Sequence, residues 1–331
     1  MRTLLNFMRY HRGTPNNMDT YFDMRSDYVS SPYDIINKVS RLNSWLNPKY
    51  KINSSRGVLG ELTKQNVSEI CSSIRQNGFY IFPNLLDLNT LTAIKTFAEK
   101  TPINYLLLEG DEIKYSKEAK PYHQTKNFSN RYQLLNISQF AECNEAMRLA
   151  LDENFLHIAN HYLGAKPILD LMLFWWSKSL HNLEVDEKTL NLLKDKSAQM
   201  FHFDLDRLKF IKFFVYLTDV DSEAGPHVYV KGTHNRVPPY IKADGRFSDE
   251  LVEKHARDKI VEITGKAGTI LAVDTRGLHK GKELEKGERL IFQLEFTNSM
   301  FGNPALPVVS EKMKFTGNQT YFDAYHLFFK K

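Results

Sequence analysis

The spacing of apolar positions divides the chain into two halves of different character. In "ELTKQNVSEICSSIRQN", residues 61–77, Leu62, Val67, Ile70, Cys71 and Ile74 fall on one helical face, and Gly78 follows as a stop. The spacing predicts a helix that leads into a short aromatic strand, "FYIFP". A second amphipathic helix is predicted over "LDLNTLTAIKTFAEKT", with Asp87 or Asn89 as its cap. Residues 139–163 read as a helical pair ending at Gly164, and "PILDLMLFWWSKS" as a long apolar strand.

Beyond residue 200 the pattern changes. "KFIKFFVYLTD", "PHVYVKGTH", "DKIVEITG", "GTILAVD" and "ERLIFQLEFTN" are short β-branched or aromatic runs divided by Gly, Asp, Asn and Pro, and each reads as a strand. A helical half followed by such a series predicts an α+β protein whose β part is a sandwich or barrel. Residues 235–258 interrupt the series with a polar stretch too long for a hairpin turn, which reads as a lid or as a plain surface insertion.

Composition narrows this picture. With 331 residues, 42% of them hydrophobic and 12% aromatic, the chain can bury a large core and reads as one large domain with extensions. Its two cysteines, Cys71 and Cys143, form no CxxC pair, which argues against a disulfide framework or a thiolate zinc site and fits a reducing cytoplasm. In "MRTLLNFMRYHRG" Asn6 and Arg9 break an apolar run too short for a secretory signal or a membrane span. The net charge of +5 lies wholly in residues 1–60, which hold nine Lys/Arg against four Asp/Glu, so the rest of the chain sums to zero. This segment is either an arm for an anionic substrate, nucleic acid or membrane surface, or a solvated extension. Its basic density is below that of a nucleic-acid tail, and the balanced β half offers no basic groove, which argues against a nucleic-acid partner.

Candidate chemistry enters with "MFHFDLDRLKF", residues 200–210. On a strand, residues two apart share a face, so His202 and Asp204 would converge on one metal ion while Phe203 points away. His279, after the apolar strand in "GTILAVDTRGLHKG", is the best third ligand among eleven histidines. Two imidazoles and one carboxylate on one side of an ion, with the remaining positions open, suit non-haem Fe(II). A lone His-x-Asp can also arise in any polar strand. Arg289 shifts that balance: Arg289, Ile291, Gln293 and Glu295 share one face of their strand, and Leu290, Phe292, Leu294 and Phe296 share the apolar other. A guanidinium turned into a barrel mouth requires an anion, such as the remote carboxylate of 2-oxoglutarate; the alternative is a surface arginine paired with Glu288 or Glu285.

Over roughly residues 65–300 the chain resembles the phytanoyl-CoA dioxygenase-like branch of the Fe(II)/2-oxoglutarate oxygenases. "NGFYIFPNLLDLNTLTAIKTF" is similar to that family's opening strand and helix, and "NFLHIANHYLGAKPIL" to its helix before the barrel. "AQMFHFDLDRLKFIKFFVYLTDVDSEAGPHVYVKGTHN" resembles its His-x-Asp strand and the segment after it, and "AGTILAVDTRGLHKG" with "GERLIFQLEF" its distal histidine and co-substrate arginine. The resemblance implies a double-stranded β-helix, a jelly-roll barrel, with N-terminal helices packed on one side. It implies an oxygenase domain over 61–331 after a basic extension over 1–60, with helical support over 61–165, a jelly-roll core over 166–300 and a tail over 301–331.

Carried over by residue, the resemblance makes His202, Asp204 and His279 the iron ligands and Arg289 the 2-oxoglutarate anchor. Lys212 and Thr218, on the face shared with Phe214 and Tyr216, are further co-substrate candidates, as are Arg131 and Gln133 in "SNRYQLLNISQF". Lys231 replaces the family's usual proline, and His227 stands where an apolar residue is commoner; His227 reads as a substrate contact, a base near the metal or a solvent-facing strand residue. The implied cofactors are Fe(II), 2-oxoglutarate and O2, and the implied reaction is hydroxylation of an unactivated C–H bond with release of succinate and CO2. Since Asp204 is a carboxylate, no position is left for a halide, which favours hydroxylation over halogenation. The implied partner is a small-molecule substrate, and the basic arm favours an anionic one. Trp175 and Trp176 could wall its pocket or belong to the core. The second reading is a redox-inert, cupin-like metal-binding or interaction module, which has no need of an anion anchor at Arg289. Nothing in the pattern fixes an oligomeric state.

Overall fold

The computed structural model describes residues 2–30, 34–125, 129–180, 185–306 and 311–331. Three helices open the chain, α1 (Arg2–His11), α2 (Met18–Ser30) and α3 (Ile35–Leu46), followed by a hairpin of β1 (Ser54–Gly57) and β2 (Gly60–Thr63). Then come α4 (Lys64–Asn77), β3 (Phe79–Ile81), α5 (Leu88–Lys100), and a second hairpin of β4 (Pro102–Glu109) and β5 (Glu112–Tyr115). β6 (Lys120–Pro121), α6 (Tyr122–Thr125), β7 (Arg131–Gln133), α7 (Asn144–Ala150) and α8 (Glu153–Leu163) lead to the long β8 (Ile168–Lys178) and α9 (Glu187–Lys196). The remainder is β9 (Phe210–Tyr216), β10 (His227–Val230), α10 (Asp249–Ala256), β11 (Ile260–Ile263), β12 (Ile270–Val273), β13 (His279–Gly281) and β14 (Glu288–Thr297).

Local chemistry explains the helix ends. Thr63 caps α4 through a capping box with Asn66, so the helix starts at Lys64 and not at residue 61; Gly60–Thr63 pairs with Ser54–Gly57 instead. Gly78, at φ 95°, ends α4 in a left-handed turn that a side chain would strain. Asp87, not Asn89, caps α5 by accepting the Thr90 N–H.

The larger sheet runs β3-β12-β9-β14-β8-β7-β4-β5, with β6 on β4, and every described pairing in it is antiparallel. β11-β10-β13 form the smaller sheet, extended by a bridge between His202 and His279. Alternation along β14 sorts its side chains. Leu290, Phe292, Leu294 and Phe296 join the helix-side core with Ile94 of α5 and Phe155 and Ile158 of α8, each fully buried side chain contributing about 1.5–3 kcal/mol. Arg289, Ile291, Gln293 and Glu295 face the interior between the sheets, where Leu173, Trp175, Phe214, Tyr216 and Tyr229 form a second apolar cluster.

Two segments differ from expectation. Over its described residues the basic N-terminal segment is not a solvated arm: Phe7, Met24, Ile36 and Val39 are buried with Leu208 and Phe301, and Asn43 donates to the Asn298 carbonyl at 2.6 Å. The first half is also less helical than its spacing suggests, since β4, β5 and β7 extend the larger sheet by pairings no local pattern reveals. The insertion at 235–258 carries α10, whose Val252 and Ala256 pack beside Phe201 and Phe203. Arg25 of α2 grips its Asp244 through two hydrogen bonds, of 2.5 and 3.0 Å. Among the described residues no helix is long and apolar enough to cross a membrane.

Candidate active site

The strand expected over His202 and Asp204 is only a bridge, yet it sets their positions. His202 exchanges backbone hydrogen bonds with His279 at 2.9 and 3.0 Å, and the Asp204 N–H donates to the Thr275 carbonyl at 2.9 Å. The three ligand atoms consequently lie within 4.8 Å of one another. Nε2 of His202 is 3.5 Å from Asp204 Oδ1, and Nε2 of His279 is 3.4 Å from Asp204 Oδ2. Each imidazole makes its other contact to its own backbone: Nδ1 of His202 to the Met200 carbonyl and Nδ1 of His279 to the Gly277 carbonyl, both at 2.9 Å. A carbonyl oxygen only accepts, so each Nδ1 carries the proton and each Nε2 presents its lone pair to the centre. Burial, reinforced by His279, pushes the His202 pKa down to about 4, which keeps it an unprotonated donor at neutral pH.

Asp204 has a second partner. Lys212 Nζ lies 2.6 Å from Asp204 Oδ2 and 3.3 Å from Glu295 Oε2, because Lys212 and Glu295 are cross-strand neighbours on β9 and β14. Burial opposes the Asp204 charge, but the Lys212 ammonium outweighs it and holds this carboxyl well below its usual range. Glu295 goes the other way, raised by burial and by Asp170, which is engaged by Arg207 at 2.9 Å.

A cavity of about 210 Å³ opens from the three ligand groups toward Arg289. Arg289, 4% exposed, has no carboxylate beside it among the described residues: its Nη2 donates to Ser177 at 3.3 Å and its Nε is buried without a partner there. Glu288, offered from sequence as its surface partner, instead accepts from the Tyr122 hydroxyl. A Cβ on Gly281 would come within 3.3 Å of Arg289 Nη2, so this glycine makes room for the guanidinium. Burial pushes the Arg289 pKa down to about 10, with the nearby Arg131 charge adding to the shift.

The remaining candidates separate. Lys212 lines the cavity but is committed to Asp204 and Glu295. Thr218 accepts from the Leu290 N–H at the end of the strand pair and lies outside the cavity wall. Arg131 lines it, stacked 4.3 Å from the Trp175 ring, whereas Gln133 accepts from Tyr115 beside it. Trp176 points to the opposite face and stacks on Tyr122. His227 does not face solvent: its ring lies 5.3 Å from that of His279, and burial drives its pKa well below the usual value. Register brings it there, since His227 opposes Gly281 and Tyr229 opposes His279, a pairing invisible in a single strand.

A double-stranded β-helix holding two imidazoles and one carboxylate, with a buried arginine in the same cavity, defines a mononuclear non-haem iron oxygenase. The sequence profile described as Phytanoyl-CoA dioxygenase (PhyH) matches residues 74–285, and the chain belongs to this family of Fe(II)/2-oxoglutarate-dependent oxygenases. In structure it is similar to SnoN, a non-haem α-ketoglutarate-dependent epimerase from nogalamycin biosynthesis, at 15% identity over 76% of this chain and 94% of that one, with a TM-score of 0.50. EctD from S. alaskensis, with bound Fe, matches at 16% identity over 80% and 92% with a TM-score of 0.48. HygX from Streptomyces hygroscopicus, with nickel and 2-oxoglutarate bound, matches at 17% over 73% and 89% with a TM-score of 0.47. No curated protein matches the sequence.

Proposed function

We propose that this protein hydroxylates an unactivated C–H bond of a small metabolite, with His202, Asp204 and His279 holding Fe(II) and Arg289 anchoring the distal carboxylate of 2-oxoglutarate. The observation that carries this reading is the coexistence in one cavity of two Nε2 lone pairs beside a carboxylate and, apart from them, a buried guanidinium without an anion among the described residues. The donor set fits Fe(II), and the planar fork of Arg289 fits a carboxylate. When bound, iron would activate O2, the oxidant, with 2-oxoglutarate as the co-reductant: one oxygen atom would enter succinate as CO2 leaves, and the other the substrate. The chain's own residues supply placement. Ser177 and Gly281 fix the guanidinium, Lys212 fixes the Asp204 carboxylate, and Trp175, Phe214 and Ile291 form an apolar wall that limits water. Asp204 occupies the position a halide would need, which favours hydroxylation. Two free, buried cysteines support a cytoplasmic setting.

The test is anaerobic addition of Fe(II) and 2-oxoglutarate to the metal-free protein. A weak visible charge-transfer band is expected in the wild type. Alanine at His202, Asp204 or His279 should abolish it and lower metal affinity by more than about 100-fold, beyond what loss of an outer partner costs. In Arg289→Lys the band should appear only at much higher 2-oxoglutarate, because an ammonium cannot reproduce the bidentate fork. A wild type that binds Zn(II) or Mn(II) but never forms the band would instead support the redox-inert module.

A further inference from the structure

The outer side of the N-terminal helices serves neither the core nor the cavity. Their inner stripes meet in one buried cluster: Phe7 of α1, Met24 of α2, and Ile36 and Val39 of α3 pack with Leu208 and Phe301. Opposite that stripe on α1 stand Leu5, Met8, Arg9 and, just past the helix end, Arg12, at i, i+3, i+4 and i+7, all exposed. Opposite it on α3 stand Lys38, Arg41, Leu42 and Trp45 at the same spacing, again all exposed. Because α1 packs against α3 and both bury their inner stripes in one cluster, the two outer stripes look away from the body together.

These stripes leave both apolar area and charge unspent. Trp45 is 78% exposed, whereas Trp175 and Trp176 are buried, and Leu46 beside it is exposed as well. Residues 1–60 hold nine Lys/Arg against four Asp/Glu. Asp23 is engaged by Arg2 at 3.2 Å and Asp34 by Arg41 at 3.6 Å; Asp27 accepts the Thr3 N–H at 3.0 Å, and Asp19 lies in the first turn of α2. Among the described residues Arg9, Arg12, Lys38 and Lys49 stand in no ion pair. An apolar patch alone would suit another protein, and a cationic one alone a nucleic acid. Leucine, methionine and tryptophan interleaved with unpaired cations on neighbouring helices suit the boundary between anionic headgroups and acyl chains, where an indole ring and long cationic side chains can both be satisfied.

We propose that the outer face of α1 and α3 docks the protein on a bilayer surface containing anionic lipid. Arg9, Arg12 and Lys38 would meet the headgroups, and Trp45 with Leu42 would enter the acyl boundary. None of the candidate iron or 2-oxoglutarate residues takes part, so the proposal stands apart from the oxygenase reading.

Trp45 supplies the readout, because it is the exposed one of three tryptophans. The full-length protein is mixed with vesicles of phosphatidylcholine alone or of phosphatidylcholine with phosphatidylserine, and both co-sedimentation and tryptophan emission are followed. Binding to the phosphatidylserine vesicles with a blue shift of the emission, weakened by added salt, is expected. Each cation near an anionic surface is worth roughly fivefold in partitioning, so the triple variant Arg9→Gln, Arg12→Gln, Lys38→Gln should lose at least about tenfold. Trp45→Ser should bind more weakly and abolish the shift. Ni(II) binding, which reports the site without turnover, should stay at the wild-type level in both variants and shows that they are folded. The proposal falls if the wild type does not bind phosphatidylserine vesicles at low salt, or if it binds them and neither variant weakens the binding. Tighter binding to duplex DNA than to the vesicles, without a blue shift, would make this a nucleic-acid face and overturn it. So would a concentration-dependent dimer that Trp45→Ser abolishes, which would make the face an interface between copies of this chain.

Discussion

At the residue scale the candidate site depends on small clearances around large charges. Gly281 is the clearest instance: it lies opposite His227 on β10, and a methyl group there would press on the Arg289 fork at 3.3 Å and approach the Ala198 carbonyl at 3.7 Å. Since the nearer atom is the end of a flexible side chain, Gly281→Ala should cost less than about 1.5 kcal/mol in stability. It should nonetheless raise half-saturation by 2-oxoglutarate roughly three- to tenfold, because a displaced fork no longer meets both carboxylate oxygens. Thermal melting and a 2-oxoglutarate titration of the same preparation check the two halves. Unchanged half-saturation would show that Arg289 does not touch the co-substrate.

At the scale of elements, what the sequence reveals depends on how far apart the partners lie. The meeting of His202, Asp204 and His279 was legible because two of them are separated by one residue and the third follows an apolar strand. The inward face of β14 was legible because alternation is a local property. Lys212 beside Asp204 and His227 beside His279 were not, since each depends on the register between strands distant in the chain. The same limit hid β4, β5 and β7. The turn between β12 and β13 was equally silent. There Asp274 accepts from Arg276 at 3.0 and 2.7 Å and from the Tyr162 hydroxyl at 2.6 Å, fixing the chain just before His279. Burial works against the Asp274 charge, and Arg276 outweighs it, holding the pKa at about 2 against an ordinary 3.8. A depressed carboxylate pKa contributes stability that is complete above the ordinary value and lost as pH falls through the folded one, here about 2.5 kcal/mol between pH 4 and 2. Asp274→Asn should cost about 3–5 kcal/mol at pH 6, since it leaves Arg276 buried and unpaired. The gap between variant and wild type should narrow as pH drops from 4 toward 2, read from urea midpoints. A gap that stays constant with pH would mean that the pair is not ionised in the folded protein.

At the scale of the whole molecule, the three N-terminal helices act as a brace for both stretches that carry the triad. Tyr21 donates to Asp206, two residues past Asp204, at 2.8 Å. Tyr28 donates to the Arg276 carbonyl at 2.7 Å, and the Arg276 guanidinium donates to Asn37 at 3.1 Å. These helices precede the segment matched by the family profile, which begins at residue 74. Replacing Tyr21 and Tyr28 together by Phe removes the hydrogen bonds to Asp206 and to the Arg276 carbonyl, and the one Tyr21 accepts from Arg25, each of about 1 kcal/mol, without opening a cavity. Weaker Ni(II) binding, by roughly three- to tenfold, is expected although neither hydroxyl touches the site. Unaltered Ni(II) affinity with lowered melting temperature would reduce the helices to a coat.

The self-anchored imidazoles have one more consequence, for how such a protein changes over time. His202 and His279 each hold Nδ1 against a carbonyl two residues back in their own chain, so each takes its hydrogen-bonded orientation from its own backbone. Trp175, Ile291 and Arg131 are therefore open to mutation without removing the hydrogen bonds that aim the donor atoms. Selection can rewrite which molecule enters while inheriting the oxidising centre intact, so divergence in this lineage is expected to accumulate in β7 and β8 before it reaches the bridge between residues 202 and 279.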